Sequence, residues 1–587
     1  MKINLSWMLR NSPEISWRIR LVAAGRKPSG LRHRTTGALP LQRETNSGQF
    51  RSRIPATARF ALSLLATVQV WAAVQVANAA DVVVVRPRTW SASMQDWKLY
   101  REAQGHKIVE LDSDQSAEAI RTAIKNVADE KPNTLKFILL ACDVGVLPNQ
   151  QIAIPVFYHR STALVKFGGD EQIASDSTFA DLDGDDLPDV AIGRMPADSP
   201  QQLTKLLARS IAFERSQDAA RWRRDVHVIA GVGGFGALAD GAIEMTTRRF
   251  LADRIPGWAD VSMTQASPQS PFCPDPWRFS ETTVERMNQG GMFWIYIGHG
   301  HVKTLDYLRC DNQWLPIMTN ENLPQVRIGP KSPIGLFLAC YTGAFDALED
   351  SLAEQLVTHD NGLVAAIASS RVSGPYGLAM LSSGMLTQCF ENKTATLGEI
   401  LLNAKREMMK PELVDKSGVP KDQTQMLNAL ASALVPEGYD LAAERQEHVW
   451  MMNLIGDPLL RLSYPCEVTL QELAQAKPGE RLTVRGTCPI AGQLHIELAY
   501  RRDQLKPNLK QLDAFSSDVE DRRRAQQTYE SANARVVAHA DDAISGGEFT
   551  MQMDVPSDLP RGKYGVRAFL TGQSTWGVGY QVISIRP

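Results

Sequence analysis

Charge of one sign is the first thing this sequence lacks. Its 587 residues carry 63 Lys and Arg against 65 Asp and Glu, a net charge of -2. So even a balance offers no basic face to a phosphate backbone or an anionic membrane, and nucleic acid drops out as an expected partner. Cysteine is sparse and odd in number, seven in all, so at least one thiol has no intramolecular partner. Residues 1–59 are short of acids and of apolar periodicity. They read as disordered, or as a leader whose start is mis-assigned. Long apolar runs are scarce as well. Phe60 to Val76 follows Arg51, Arg53 and Arg59 and ends in Ala77-Asn-Ala79-Ala80. A basic flank, an apolar run and an Ala-x-Ala site make 60–80 a signal peptide, with the mature chain starting near Ala80 or Asp81. A membrane anchor is the alternative, but the run is short and holds Gln69 and Gln75. The expected location is secreted, periplasmic or cell-surface, with no membrane span after cleavage.

What is present is organised around 291–340. Met292-Phe-Trp-Ile-Tyr-Ile-Gly-His299-Gly300 and Ile334-Gly-Leu-Phe-Leu-Ala-Cys340 are short β-prone apolar runs, as strands buried on both faces should be. Each stops at a group that can do chemistry. In parallel α/β sheets the working groups lie past the carboxyl ends of strands, so the two runs would bring an imidazole and a thiol to one edge. The thiolate is the nucleophile, and an imidazole can take its proton and later protonate a leaving amine. The backbone N–H groups of Gly300 and Cys340 are the natural oxyanion donors. A lone His after a strand is more often structural, and a lone Cys there is usually a small buried hydrophobe. The argument rests on having both, in this order.

Tyr296-Ile-Gly-His-Gly300, followed about forty residues later by Ala339-Cys340-Tyr-Thr-Gly343-Ala-Phe345, resembles the gingipain family of caspase-like cysteine peptidases. Phe137 to Asp143, Asp189 to Pro196, Gly362 to Ser370 and Asn453 to Pro458 resemble further segments of that family in the same order. The resemblance implies a caspase-like α/β fold, doubly wound and mostly parallel in two sub-domains, and a cysteine endopeptidase acting on protein or peptide substrates without an organic cofactor. It assigns Cys340 as nucleophile and His299 as general base and acid, with an acid near Asp240 or Glu244 orienting the imidazole. It also places Ser369, Ser370, Arg371 and Tyr376 at the edge that helps form a specificity pocket. No carboxylate for a basic substrate stands out there, and Arg371 would repel one. His301 departs from the family beside the His-Gly pair. The alternative from another class is a catalytically silent caspase-like scaffold or adhesion protein.

The remaining chain divides readily. Residues 81–224 alternate strands and helices as an N-terminal α/β sub-domain, and 225–463 form the catalytic one. Asp181-Leu-Asp183-Gly-Asp185-Asp-Leu-Pro-Asp189 spaces carboxylates as a short Ca²⁺ loop does, though without an EF-hand's distal Glu; an acidic surface turn is the other reading. Gly231-Val-Gly-Gly-Phe-Gly236 loosely has dinucleotide-loop spacing, but no ribose-binding acid stands out, so a loop lining the cleft is preferred. Arg221–Arg224 reads as a charged connector, and the 302–330 loop with Trp314 as cover for the cleft. From 464 to 587 short alternating strands with Gly/Pro turns predict an immunoglobulin-like β-sandwich. The charged, helix-prone stretch 501–534 reads as a solvated hairpin. Cys466–Cys488 and Cys273–Cys310 are the disulfides that spacing suggests.

Overall fold

A computed structural model describes residues 80–145, 152–216, 221–233, 254–410, 423–473, 475–504, 506, 509 and 516–586. The leader, the signal segment before Ala80, and the candidate acids Asp240 and Glu244 lie outside these residues.

Ten strands form one sheet: β1 (Val82–Arg86), β2 (Ile108–Asp112), β3 (Phe137–Leu140), β4 (Ala191–Arg194), β5 (Asp225–Ala230), β6 (Asp260–Gln265), β7 (Phe293–Ile297), β8 (Ile334–Leu338), β9 (Ala365–Ser369) and β10 (Met452–Ile455). Their order is β2-β1-β3-β4-β10-β9-β8-β7-β5-β6. Pairing is parallel except between β9 and β10, and the Ile455–Arg194 pair joins the two halves. The expected doubly wound, mostly parallel sheet is the one observed. The cause is visible in the strands. Val82 to Val85, Ile138 to Leu140 and Ala365 to Ala368 are at most 1% exposed, and each buried aliphatic side chain contributes about 1.5–3 kcal/mol. Helices cover the sheet. One of them, Pro200–Arg215, is capped by the Ser199 hydroxyl and buries Leu203, Leu206, Leu207, Ile211 and Phe213, the predicted apolar face.

The C-terminal region is a β-sandwich of a five-stranded and a three-stranded sheet around one core. Arg481–Cys488 shows the alternation that read as a half-buried strand, with Leu482, Val484 and Cys488 inward. The two suggested disulfides are not formed; all seven cysteines are thiols. Cys273 lies close enough to Cys310, and Cys466 to Cys488, for each pair to interact electrostatically.

Two expectations are corrected. The 501–534 stretch is not a solvated hairpin. Its helix Val519–Asn533 buries Ala525, Tyr529 and Ala532 and lies along the edge strand β6. Asn533 there accepts from the Met263 N–H and donates to the Met263 carbonyl, satisfying backbone groups that an open sheet edge would leave exposed. Nor is Arg221–Arg224 a mere connector. Arg224 is buried and, with Arg567, grips the sandwich carboxylate Glu497 at 2.7 Å each, and His495 adds a contact at 2.9 Å.

Burial alone would raise the Glu497 carboxyl, but His495, Arg567 and Arg224 hold it well below its ordinary 4.5. A depressed carboxyl contributes stability that is complete above pH 4.5 and is lost as the pH falls from there. Glu497→Gln should destabilise the protein by about 3–5 kcal/mol in denaturant titrations, because it removes the buried carboxylate shared by Arg224 and Arg567 and leaves Arg567 only Asp260. The loss should shrink as the pH is lowered below 4.5.

Candidate active site

Register builds the site. β7 and β8 pair in parallel with Ile297 opposite Leu338, so His299 and Cys340 leave neighbouring strands at the same level. The Gly298 N–H donates to the Leu338 carbonyl at 3.3 Å, carrying the pairing past the strand ends. Gly300 then packs against the thiol's own segment. A Cβ there would lie 2.7 Å from the Cys340 carbonyl oxygen and 2.9 Å from the Ala339 Cβ. Only glycine permits that approach.

Beyond Cys340 the chain turns sharply. Tyr341 takes φ of +56°, a left-handed conformation costing roughly 1 kcal/mol in an L residue. Bonds to the next strand's end hold it: the Tyr341 N–H donates to the Arg371 carbonyl at 3.1 Å and the Gly343 N–H to the Ser369 carbonyl at 2.9 Å. The following helix, Leu352–Thr358, starts in a Ser351–Glu354 capping box. Its Leu352 N–H donates to Val302 of the histidine loop and its Ala353 N–H to Thr342 of the cysteine loop. One helix start thus ties both loops together.

Cys340 is partly buried. The Ser373 N–H points at its sulfur at 3.3 Å, with the Ser373 hydroxyl at 3.7 Å. Burial pushes the thiol above its ordinary 9.0, against the pull of those two groups. The resting sulfur is therefore a neutral thiol that needs a base. His299 is also partly exposed, whereas His301 beside it is exposed. Tyr296, fully buried, donates its hydroxyl to the His299 carbonyl at 2.6 Å. Gly231 opens the Gly-rich loop, and a Cβ on it would lie 2.7 Å from that hydroxyl. The start of this loop is thus packed on the histidine strand; Gly234 and Gly236 lie outside the described residues.

The expected pocket residues are placed differently. Ser369 and Ser370 are fully buried, and both hydroxyls donate to main-chain carbonyls, of Arg371 and Ala174. Through these bonds they brace the rim from within. Tyr376 is buried too, its hydroxyl held by Asn428 and Arg445. Arg371 is clamped by both oxygens of Asp346, at 2.7 and 2.5 Å, so it presents no unbalanced cation to a basic substrate. An acid also stands at this edge. Asp170, its side chain 57% exposed, accepts from the Tyr341 hydroxyl at 3.1 Å. Sequence reasoning gave no site role to Asp170, Asp346 or Ser373, which stand on loops with no motif of their own. Trp314 is exposed on the Tyr307–Cys310/Gln313–Pro316 ribbon that follows the histidine loop.

At the acidic loop, oxygens of Asp181, Asp183 and Asp189 converge within 4.8 Å. Asp185 is not among them; its carboxylate accepts from the Leu187 N–H. Gly184 has φ of +88°, the tight turn anticipated there. Hard carboxylate oxygens suit Ca²⁺, although Arg121 pairs with Asp181 and Arg406 with Asp189.

The family model of peptidase family C25 matches residues 75–463. Among solved structures, the Arg-specific cysteine proteinase gingipain R (RgpB) is 15% identical with a TM-score of 0.49, covering 86% of this chain and 98% of its own. The complex of RgpB pro- and mature domains from Porphyromonas gingivalis is 15% identical with a TM-score of 0.48, covering 86% and 100%. A structure titled only as a protease is 13% identical with a TM-score of 0.49, covering 86% and 98%. No curated protein matches the chain.

A raised thiol pKa means thiolate is still accumulating above pH 9.0. Alkylation of Cys340 by iodoacetamide, followed by peptide mass spectrometry, should still be accelerating there. Ser373→Ala should slow it about threefold at pH 8, by removing one of the two groups that favour thiolate. A rate already level by pH 8 would contradict this placement.

Proposed function

Because the chain belongs to peptidase family C25, and members of that family are cysteine peptidases, we propose that it is an exported endopeptidase using Cys340 and His299. The observation that carries the reading is the shared level of the two residues on adjacent parallel strands, closed by Gly300. His299 takes the Cys340 proton as sulfur attacks the scissile carbonyl. The oxyanion is held by the Gly300 and Cys340 N–H groups. The imidazolium then protonates the leaving amine, giving a thioester. His299 next activates a water that hydrolyses it and restores the thiol. Export is supported by the signal-like 60–80 segment, and among the described residues no helix is long and apolar enough to cross a membrane.

Labelling with a peptidyl acyloxymethyl ketone library tests the reading. Wild type should be modified at Cys340, Cys340→Ala not at all, and His299→Ala at least about 100-fold more slowly. Silence in the folded, Ca²⁺-replete protein, persisting after trial proteolysis, would leave the scaffold reading instead.

The Asp181–Asp183–Asp189 loop is proposed as a structural Ca²⁺ site, supported by its converging oxygens. Chelation should lower the Tm by about 2–5 °C, Ca²⁺ should restore it, and Asp183→Asn should abolish the difference.

A further inference from the structure

A base that becomes a cation as it works gains from a carboxylate beside it, and the acids sought for that role lie outside the described residues. The histidine loop supplies another. Gly300 and Leu305 form an antiparallel bridge, so the next residues outward, His299 and Asp306, face each other. Side chains so opposed stand about 4.5–5.5 Å apart at Cβ. One buried hydroxyl pins both: Tyr296 accepts from the Asp306 N–H at 3.3 Å and donates to the His299 carbonyl at 2.6 Å. Asp306 Oδ1 accepts from the Tyr307 N–H at 2.7 Å. Asp306 Oδ2 is buried and has no hydrogen-bond partner among the described residues. The ionisable groups facing this carboxyl are His299, His301 and Tyr296, and Cys340 faces Tyr296 in turn. Burial pushes the Asp306 carboxyl up, while the two imidazoles pull it down.

We infer that Asp306 is the positioning residue for His299, its carboxylate facing the imidazole and favouring the imidazolium that forms when Cys340 loses its proton. The role rests on His299 being the catalytic base. It does not need Asp306 to touch substrate. Such a carboxylate works by orientation and charge and need never take the proton itself.

The test reads the imidazole directly, so it stands apart from turnover. The full chain is labelled with ¹³Cε1-histidine, and the His299 signal is assigned by its loss in His299→Ala. Asp306→Asn should move the His299 signal's transition to lower pH, because a neighbouring anion favours the cation. In active enzyme the acid limb of the kcat/KM profile should move down by the same amount, and Asp306→Glu should recover most of the shift. A folded Asp306→Asn whose His299 titrates as in wild type overturns the proposal. If Asp306→Asn does not fold, wild type decides. Its His299 curve should carry a second inflection where Asp306 protonates, and a single inflection overturns the assignment. A shifted His299 in a protein with no peptidase activity supports the pairing and counts only against the endopeptidase reading.

Discussion

The contact between Gly300 and the Cys340 segment is the constraint on which the catalytic edge depends. Any side chain at residue 300 would strike the Cys340 carbonyl and the Ala339 methyl. The chain after His299 can pass this close to the Cys340 segment only because residue 300 has no Cβ. The parallel register sets the level and the glycine permits the close approach of the two segments. The left-handed Tyr341 is then the turn that lets the chain leave without covering the sulfur. Its strain persists because bonds to the end of β9 and to the helix that starts at Leu352 fix the residues on either side.

Behind this edge, buried polar side chains do for irregular backbone what sheet bonding does for strands. The helix Leu441–Met451 carries Glu444, Glu447 and His448, all at most 3% exposed. His448 Nε2 accepts from the Gly374 N–H and Glu444 from the Gly377 N–H. These hold the segment just after Ser373, whose amide points at the Cys340 sulfur. Glu447 accepts from the Ala163 and Leu164 N–H groups, fixing the loop between the strands Phe157–Arg160 and Gln172–Ser175. That loop leads to Asp170. Glu444, Glu447 and His448 are all bonded in this way, so the loops around the thiol are held by directional bonds and not by apolar burial alone.

The split between what the sequence disclosed and what it withheld follows from the range of the interactions. Strands and amphipathic helices were legible because burial is written locally, as a continuous apolar run in Val82–Val85 or a helical period in Leu203–Phe213. His299 and Cys340 were legible because each ends an apolar run at a small residue. The helical character of Val519–Asn533 was legible but its docking was not, since its buried stripe is only Ala525, Tyr529 and Ala532 among charged neighbours. Ser369 and Ser370 were taken as pocket residues from their place at a strand end. Nothing local says that their hydroxyls turn inward to carbonyls. Asp346, 25 residues from the Arg371 it neutralises, is beyond any periodicity argument.

That neutralisation changes what the rim offers. An isolated Arg371 would set an unbalanced cation beside the thiol, repelling basic side chains and helping to stabilise thiolate. Bound to both oxygens of Asp346, it does neither. Its charge is spent on joining the end of β9 to the loop after Cys340, and the exposed Asp170 lies on its other side, 3.5 Å from Nε. The thiol therefore draws no help from a neighbouring cation. Burial keeps it protonated, so attack needs a base in register with it, and that requirement leads back to the strand pairing that sets His299 level with Cys340.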